Sequence, residues 1–177
     1  MKRLGAALTL SLLASCSPQR APAPSSSAPV PLIVHTPVPG QAMSPRSYVT
    51  ASSSFELFVL NAAQLAASRA RTGGVRAHAR AELADHRGLS AQLSFAGRGL
   101  NLLPPRAMWK SDAQRLAEIA ASSDFDTVYK ERMIAAHRHH LKVNRDFAAR
   151  GSSPTLRLVA RNAAPVIARH LDQLGKL

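Results

Sequence analysis

Apolar residues between positions 51 and 177 recur every three or four residues, which is the spacing of amphipathic helices. Alanine is abundant and β-branched residues are few, which favours helix over strand. Gly73-Gly74 and Gly151 are expected to end helices, and Asp124 to cap the start of one. We predict long helices over 54–72, 75–95, 124–150 and 154–174, with a short helix around 112–121.

The lengths of these four helices and the tight turns between them predict an all-α domain. The expected architecture is an antiparallel four-helix bundle with one longer crossover between the second and third long helices. No run of the sequence predicts a sheet. We assign the bundle to residues 51–177, which are enough for one domain.

The chain opens with two basic residues and an apolar run over 4–14. This run is too short for a membrane-spanning helix, which needs about 20 residues, and has the length of a secretory signal. It ends in the letters LASC at 13–16, which resemble the bacterial lipobox, where the cysteine is acylated. We therefore predict a signal peptide over 1–15 and a lipidated Cys16. The alternative is an ordinary signal peptide with an incidental cysteine.

Residues 16–50 are predicted to be a disordered linker behind this anchor. Eight of the twelve prolines lie there, separated by serine and alanine, and such a stretch cannot form a packed core. The cysteine is the only one in the chain, so it cannot make an internal disulfide. Ser17 follows it, which in Gram-negative lipoproteins of the best-known type indicates sorting to the outer membrane. We expect an outer-membrane lipoprotein that faces the periplasm.

The chain is strongly basic, with a net charge of +13. Without the two basic residues of the signal peptide, 21 basic residues stand against 10 acidic ones, or +11. A basic surface attracts anions, and the envelope offers anionic lipid, lipopolysaccharide and wall polymers. Export and an aromatic content of only 5% argue against nucleic acid as a partner.

Three of the predicted long helices place a histidine on the inward face, at His86, His137 and His170. Imidazoles that converge in this way predict a mononuclear transition-metal site, with Cu, Zn or Fe as the ion. His140 and Met133 lie near the same line and are possible further ligands. The Met133 thioether would favour copper.

Asp85 or Tyr129 would hold the liganding imidazoles in one tautomer. The alternative is a set of buried neutral histidines that make hydrogen bonds to neighbours such as Tyr129, Asn144 or Asp85. His78 falls at the edge of its helix and His139 points outward, so neither is included. The sequence has no nucleophile elbow, Gly-rich phosphate loop, Cys–His arrangement or suitably spaced carboxylate pair, which argues against an enzyme.

Three segments carry a resemblance to a known family: ARAELADH at 79–86, FDTVYKERMIAAH at 125–137 and PVIARH at 165–170. In this order, over nearly all of residues 52–175, they resemble the bacterial ferritin-like family known as domain of unknown function 4142. The resemblance implies a ferritin-like four-helix bundle and no established activity.

The sequence departs from this family in one respect that bears on the site. The family has a glutamate on the inner face of its first helix, and an ungapped match places Arg69 there. The chain also lacks the Glu-x-x-His pair of di-iron ferritins, so both features argue against a carboxylate-bridged di-iron oxidase. We expect a lipid-anchored envelope bundle that binds a transition metal. The alternative is a basic adaptor for anionic lipid or polymer whose histidines are purely structural.

Overall fold

A computed structural model of the protein describes residues 42–177, and all regular elements within them are helices. The predicted all-α class is thus confirmed. The predicted signal peptide (1–15), the predicted lipidation site Cys16 and most of the predicted linker (16–50) lie outside the described residues. No helix in the described part is long and apolar enough to cross a membrane. The helices are α1 (Pro45–Arg69), α2 (Gly73–Gly99), α3 (Lys110–Ala121), α4 (Phe125–Arg150) and α5 (Pro154–Leu174).

Helix α1 begins at Pro45, well before the predicted start at residue 54. The Ser44 hydroxyl accepts a hydrogen bond from the Ser47 backbone N–H at 3.1 Å and caps the helix. Proline is favourable at the first helical position, because that N–H has no partner in the helix. Residues 45–50 are therefore part of α1, where the sequence had predicted linker.

The turn between α1 and α2 also differs from the prediction. Helix α1 ends at Arg69, and Gly73-Gly74 open α2 rather than terminate α1. The Thr72 hydroxyl caps α2 by accepting from the Val75 N–H at 3.3 Å. The Asp126 carboxylate, at the start of α4, accepts the N–H groups of Arg71 and Thr72, each at 2.9 Å. This carboxylate ties the turn to α4.

Helix α2 continues past the predicted end at residue 95 as far as Gly99. The loop that follows folds back closely onto the helix at Gly97. Only glycine fits there, because a Cβ would lie 2.3 Å from the Leu102 carbonyl oxygen. The Leu102 N–H donates a hydrogen bond to the Gly97 carbonyl at 2.8 Å. Asn101, with φ at 55°, reverses the chain in the left-handed region that asparagine tolerates. Asp124 occupies the N-cap position of α4 as predicted, but its side chain makes no capping bond.

The long helices pack in pairs: α1 on α2 and α4, and α5 on α4 and α2. The short α3 lies against α1 and α4. A larger hydrophobic cluster fills the space around Phe55 and Phe58. A smaller one joins the start of α1 to the ends of α2 and α4, where Tyr48 stacks on Phe147 at 4.0 Å and donates to Asn144 at 2.8 Å.

Two glycines of α2 are expected to respond oppositely to alanine. Gly97→Ala should destabilise the protein by about 1–3 kcal/mol, because the new methyl group overlaps a backbone carbonyl. Gly88 is exposed in the same helix with nothing near its Cβ position. Gly88→Ala should therefore stabilise the protein by about 0.5–1 kcal/mol. Urea unfolding of both variants checks this, and a Gly97→Ala protein as stable as the parent would contradict the close approach.

Candidate metal centre

A buried glutamate, Glu82 of α2, lies at the centre of a group of histidines. Its side chain is 0% exposed. Oε2 lies 3.0 Å from Nε2 of His86, and Oε1 lies 3.1 Å from Nε2 of His137 and 3.4 Å from Nε2 of His78. Nδ1 of His170 is 3.9 Å from the same Oε1. Four imidazoles therefore surround one carboxylate in the interior of the protein.

Helical periodicity explains how the group assembles. His78, Glu82 and His86 follow one another at intervals of four residues, so all three lie on one face of α2. That face packs on α5, which supplies His170. His137 comes from α4, which packs against α5 and α1. The larger hydrophobic cluster surrounds the group and excludes water from it.

The atoms that face one another in this group are close but are not aligned for hydrogen bonds. Buried polar atoms are nearly always hydrogen-bonded, so such a concentration of exceptions is unusual. Donors bound at about 2.0–2.2 Å around a tetrahedral ion lie roughly 3.3–3.6 Å apart, close to the separations found here. The atoms concerned are both nitrogens of His78, both Glu82 oxygens, Nε2 of His86 and His137, and Nδ1 of His170.

The donors fall into two groups whose atoms all lie within 4.8 Å of one another. One group is Glu82, His86 and His137, and the other is His78, Glu82 and His170. Both groups are buried, and they share the glutamate. Histidine nitrogen and carboxylate oxygen are donors that suit Zn, Cu and Fe.

Three of the histidines are oriented by an outer partner. In each, one ring nitrogen donates to that partner and the other nitrogen faces Glu82. Metal-binding histidines show the same division, because the outer bond fixes the tautomer and the ring orientation. The pairs are His86 Nδ1 with Glu56 Oε2, His137 Nδ1 with the Met133 carbonyl, and His170 Nε2 with Asp85 Oδ2, each at 2.9 Å.

The electrostatics of the centre depend on two carboxylates around His86. Burial alone would raise the pKa of Glu82, but the His137 and His86 imidazoles hold that pKa well below its usual range. Burial would lower the pKa of His86, but the Glu56 and Glu82 carboxylates raise it to about 10. The proton on His86 thus supplies positive charge between two buried carboxylates, and a metal ion would supply the same.

The three histidines proposed as ligands from sequence do come together. The ring centroids of His86, His137 and His170 lie 5.5–6.2 Å apart. His140 is buried but stacks on Phe55 at 4.0 Å, and it belongs to neither donor group. Met133 contributes its backbone carbonyl to His137.

The two residues expected to orient imidazoles occupy different positions. Asp85 accepts from His170, and its Oδ2 also lies 2.7 Å from Arg169. Tyr129 is fully buried, and its hydroxyl has no hydrogen-bond partner among the described residues. Burial first, and then the Glu82 charge, raise the pKa of this phenol well above its ordinary value. Tyr129 therefore stays protonated beside the centre without holding an imidazole.

Sequence analysis missed Glu82, Glu56 and His78. The first and last carry a visible signal, since the segment His78-x-x-x-Glu82-x-x-x-His86 places three metal-ligating residue types on one face. Glu56 is the single acidic residue of α1 and lies within an apolar run. Glu56 and Glu82 both contact His86, and the spacing of acidic residues along the sequence did not reveal this pair.

The inward carboxylate of α1 is Glu56, and Arg69 does not replace it. Arg69 is exposed at the end of the helix, where it donates to the Ala120 carbonyl at 2.8 Å. Its guanidinium also lies 4.9 Å from the centre of the Phe125 ring. A long cationic side chain at a helix end can turn to the surface in this way. Arg69 therefore does not occupy an inward position of α1.

These features define a helical protein with a buried histidine–glutamate centre. Residues 34–177 match the family described as "Domain of unknown function (DUF4142)", and the chain belongs to that family. Its fold is similar to that of a solved structure described as "CopM in the Cu(II)-bound form", with a TM-score of 0.66 and 13% sequence identity. The match covers 77% of this chain and 96% of that chain. No curated protein matches the chain significantly.

The raised pKa of His86 predicts a loss of stability at alkaline pH in the metal-free protein. The folded-state pKa is about 10 and the ordinary value is 6.5. The contribution of the ion pair is therefore complete below pH 6.5 and is lost as pH rises toward 10. Glu56→Gln removes the main cause of the shift and should flatten this alkaline slope.

Urea unfolding from pH 6 to 10, after treatment with a chelator, measures the slope. Glu118→Gln serves as the matched control, because Glu118 pairs with Arg132 at the surface. Equal slopes in the parent and in Glu56→Gln would contradict the assignment of a proton to His86 between the two carboxylates.

Proposed function

We propose that this protein binds a transition-metal ion, with copper as the first candidate, at Glu82, His86 and His137. The observation that carries the proposal is the convergence of buried nitrogen and oxygen atoms that lack aligned hydrogen-bond partners. His170, the third histidine expected from sequence, lies next to this group. The proposed setting is a ferritin-like four-helix bundle, which the pairwise packing of α1, α2, α4 and α5 supports.

The local charge supports a cation even though the chain as a whole is basic. Glu56 and Glu82 are both buried against His86, and buried carboxylates need a compensating positive charge. Imidazole and carboxylate donors suit copper, zinc and iron alike. Copper is placed first because the structural neighbour is described in its Cu(II)-bound form.

The chain's own residues prepare the site for an ion. Glu56 and the Met133 carbonyl hold Nδ1 of His86 and His137, which leaves Nε2 of each ring toward Glu82. An ion binds only a neutral imidazole, so it would displace the proton of His86, and binding should release protons. The cavity beside Glu56 has a volume of about 10 Å³, room for about one water molecule. The side chains of Glu82, His86 and His137 have no exposed surface, which favours holding or transferring an ion over turnover of an organic substrate.

Titration calorimetry with Cu(II) and with Zn(II) tests the metal site. The parent should bind tightly, and the His86→Ala/His137→Ala variant should lose the ion bound at this site because both of its nitrogen donors are gone. Glu56→Gln should weaken binding by about 10–100-fold through its effect on His86. His139→Ala is the matched control, since His139 is exposed on the same helix as His137. Equal stoichiometry and affinity in the parent and the double variant would overturn the proposal.

We further propose that the domain is held in the cell envelope by a lipid on Cys16, at the outer membrane and facing the periplasm. The apolar run over 4–14 and the LASC letters at 13–16 support this. The second candidate function is a basic adaptor for anionic lipid or polymer. The net charge of +11 without the signal peptide favours it, as do the exposed side chains of Phe95 and Leu103, at 77% and 69%.

One fractionation experiment separates the anchor from the adaptor. The parent should stay with the membrane in high salt, because acyl chains insert into the bilayer and are not screened. Cys16→Ala should appear in the soluble fraction. A Cys16→Ala protein that stays with the membrane at low salt and leaves it at high salt would instead favour the adaptor.

A further inference from the structure

We infer that the centre takes two metal ions that share the Glu82 carboxylate, the second ion being held by His78 and His170. This inference rests on the proposed function, because it adds a second ion to the same centre. The first ion is bound by His86, His137 and Glu82.

The donors outnumber what one ion can use. A four-coordinate ion at Glu82, His86 and His137 has room for one further donor. Of the two imidazoles His78 and His170, at least one would then remain without an ion, although both are buried. The nitrogens of these two rings that face Glu82 have no aligned hydrogen-bond partner, which is costly in a buried position, and a second ion accounts for them.

The arrangement of donors separates them into two sets. Within the described residues the donor atoms form two groups of three rather than one group of five. His78 and His86 lie one turn before and one turn after Glu82, so their rings approach the carboxylate from opposite ends. His170 contacts the His78 ring at 5.4 Å between centroids. Glu82 is the residue that both sets have in common, which is the position of a bridging carboxylate.

The second set also has the outer support expected of a metal ligand. Nε2 of His170 donates to Asp85 at 2.9 Å, which directs Nδ1 toward Glu82 and His78. Asp85 is fixed in turn by Arg169 at 2.7 Å. This matches the way Glu56 orients His86 in the first set.

The charge of the centre selects the ions that can occupy both sites together. Glu56 and Glu82 carry two negative charges, and the charge of Asp85 is already offset by Arg169. Two monovalent ions would be neutralised, whereas two divalent ions would leave a buried excess of positive charge, which is costly. Each set offers two imidazoles, which suit copper. We therefore expect the doubly loaded state with Cu(I).

Anaerobic titration of the full chain with Cu(I) against a competing chelator tests the inference. The parent should saturate at two equivalents, and X-ray absorption of that state should show copper–copper scattering. His78→Gln/His170→Gln should saturate at one equivalent, because Glu82, His86 and His137 remain. His86→Gln/His137→Gln should likewise keep one equivalent, and His139→Ala should keep two.

The outcomes separate this inference from the proposed function. Saturation of the parent at one equivalent would overturn the two-ion inference and leave the metal site standing. No binding of Cu(I), Cu(II) or Zn(II) by the parent would overturn both. Loss of all binding in a folded His78→Gln/His170→Gln protein would show one site built from all the donors. Circular dichroism establishes which variants fold, and the parent's own stoichiometry decides if none does.

Discussion

The charge of Glu82 is the constraint on which the interior of this protein depends. A carboxylate with no exposed surface must be compensated, because moving it out of water costs far more than its packing returns. Imidazoles from α2, α4 and α5 surround this carboxylate and provide the compensation. Helices that share such a group cannot slide or rotate independently, so the carboxylate also fixes their register.

The hydrophobic residues around the centre strengthen this effect. Phe55 of α1 presents its ring edge-on to His86 and His137 and stacks on His140. The ring separates the imidazoles from solvent and lowers the local dielectric constant, so each charge interacts more strongly with its partner. The same exclusion of water explains why the pKa of His140 lies well below its usual value, since burial disfavours its charged form.

In both the metal-free and the metal-bound form, a positive charge between Glu56 and Glu82 would compensate the two buried carboxylates. In the metal-free protein the His86 proton lies between Glu56 and Glu82, and in the bound form an ion takes over that charge. Ion binding and proton release are therefore coupled, and both are coupled to stability. The outer partners, Glu56, Asp85 and the Met133 carbonyl, need not move for the exchange, because each already holds the ring nitrogen that faces away from Glu82.

Sequence alone determined the elements of the fold and three of the histidines of the centre. Apolar spacing indicated five helices, and the last of them ran over the predicted residues. The family resemblance was confirmed. Errors occurred where tertiary contacts fix helix ends. The Asp126 carboxylate holds the turn before Gly73, and the Leu102 carbonyl closes over Gly97. Such contacts come from segments that are distant in sequence or that lie beyond a loop, so the local spacing of apolar residues does not predict them.

The candidate metal centre, like the fold, was predictable from sequence only in part. Periodicity put His86, His137 and His170 on inward faces, because an inward face follows from the residues of one helix. It could not give their depth along the helices, so it did not show that Glu82 lies between them. The partnership of Glu56 with His86 crosses from α1 to α2, and the direction of Arg69 depends on α3 and α4. Sequence determined which side chains face inward, and tertiary structure decided which of them meet, because the relative shift of packed helices is set by the whole core.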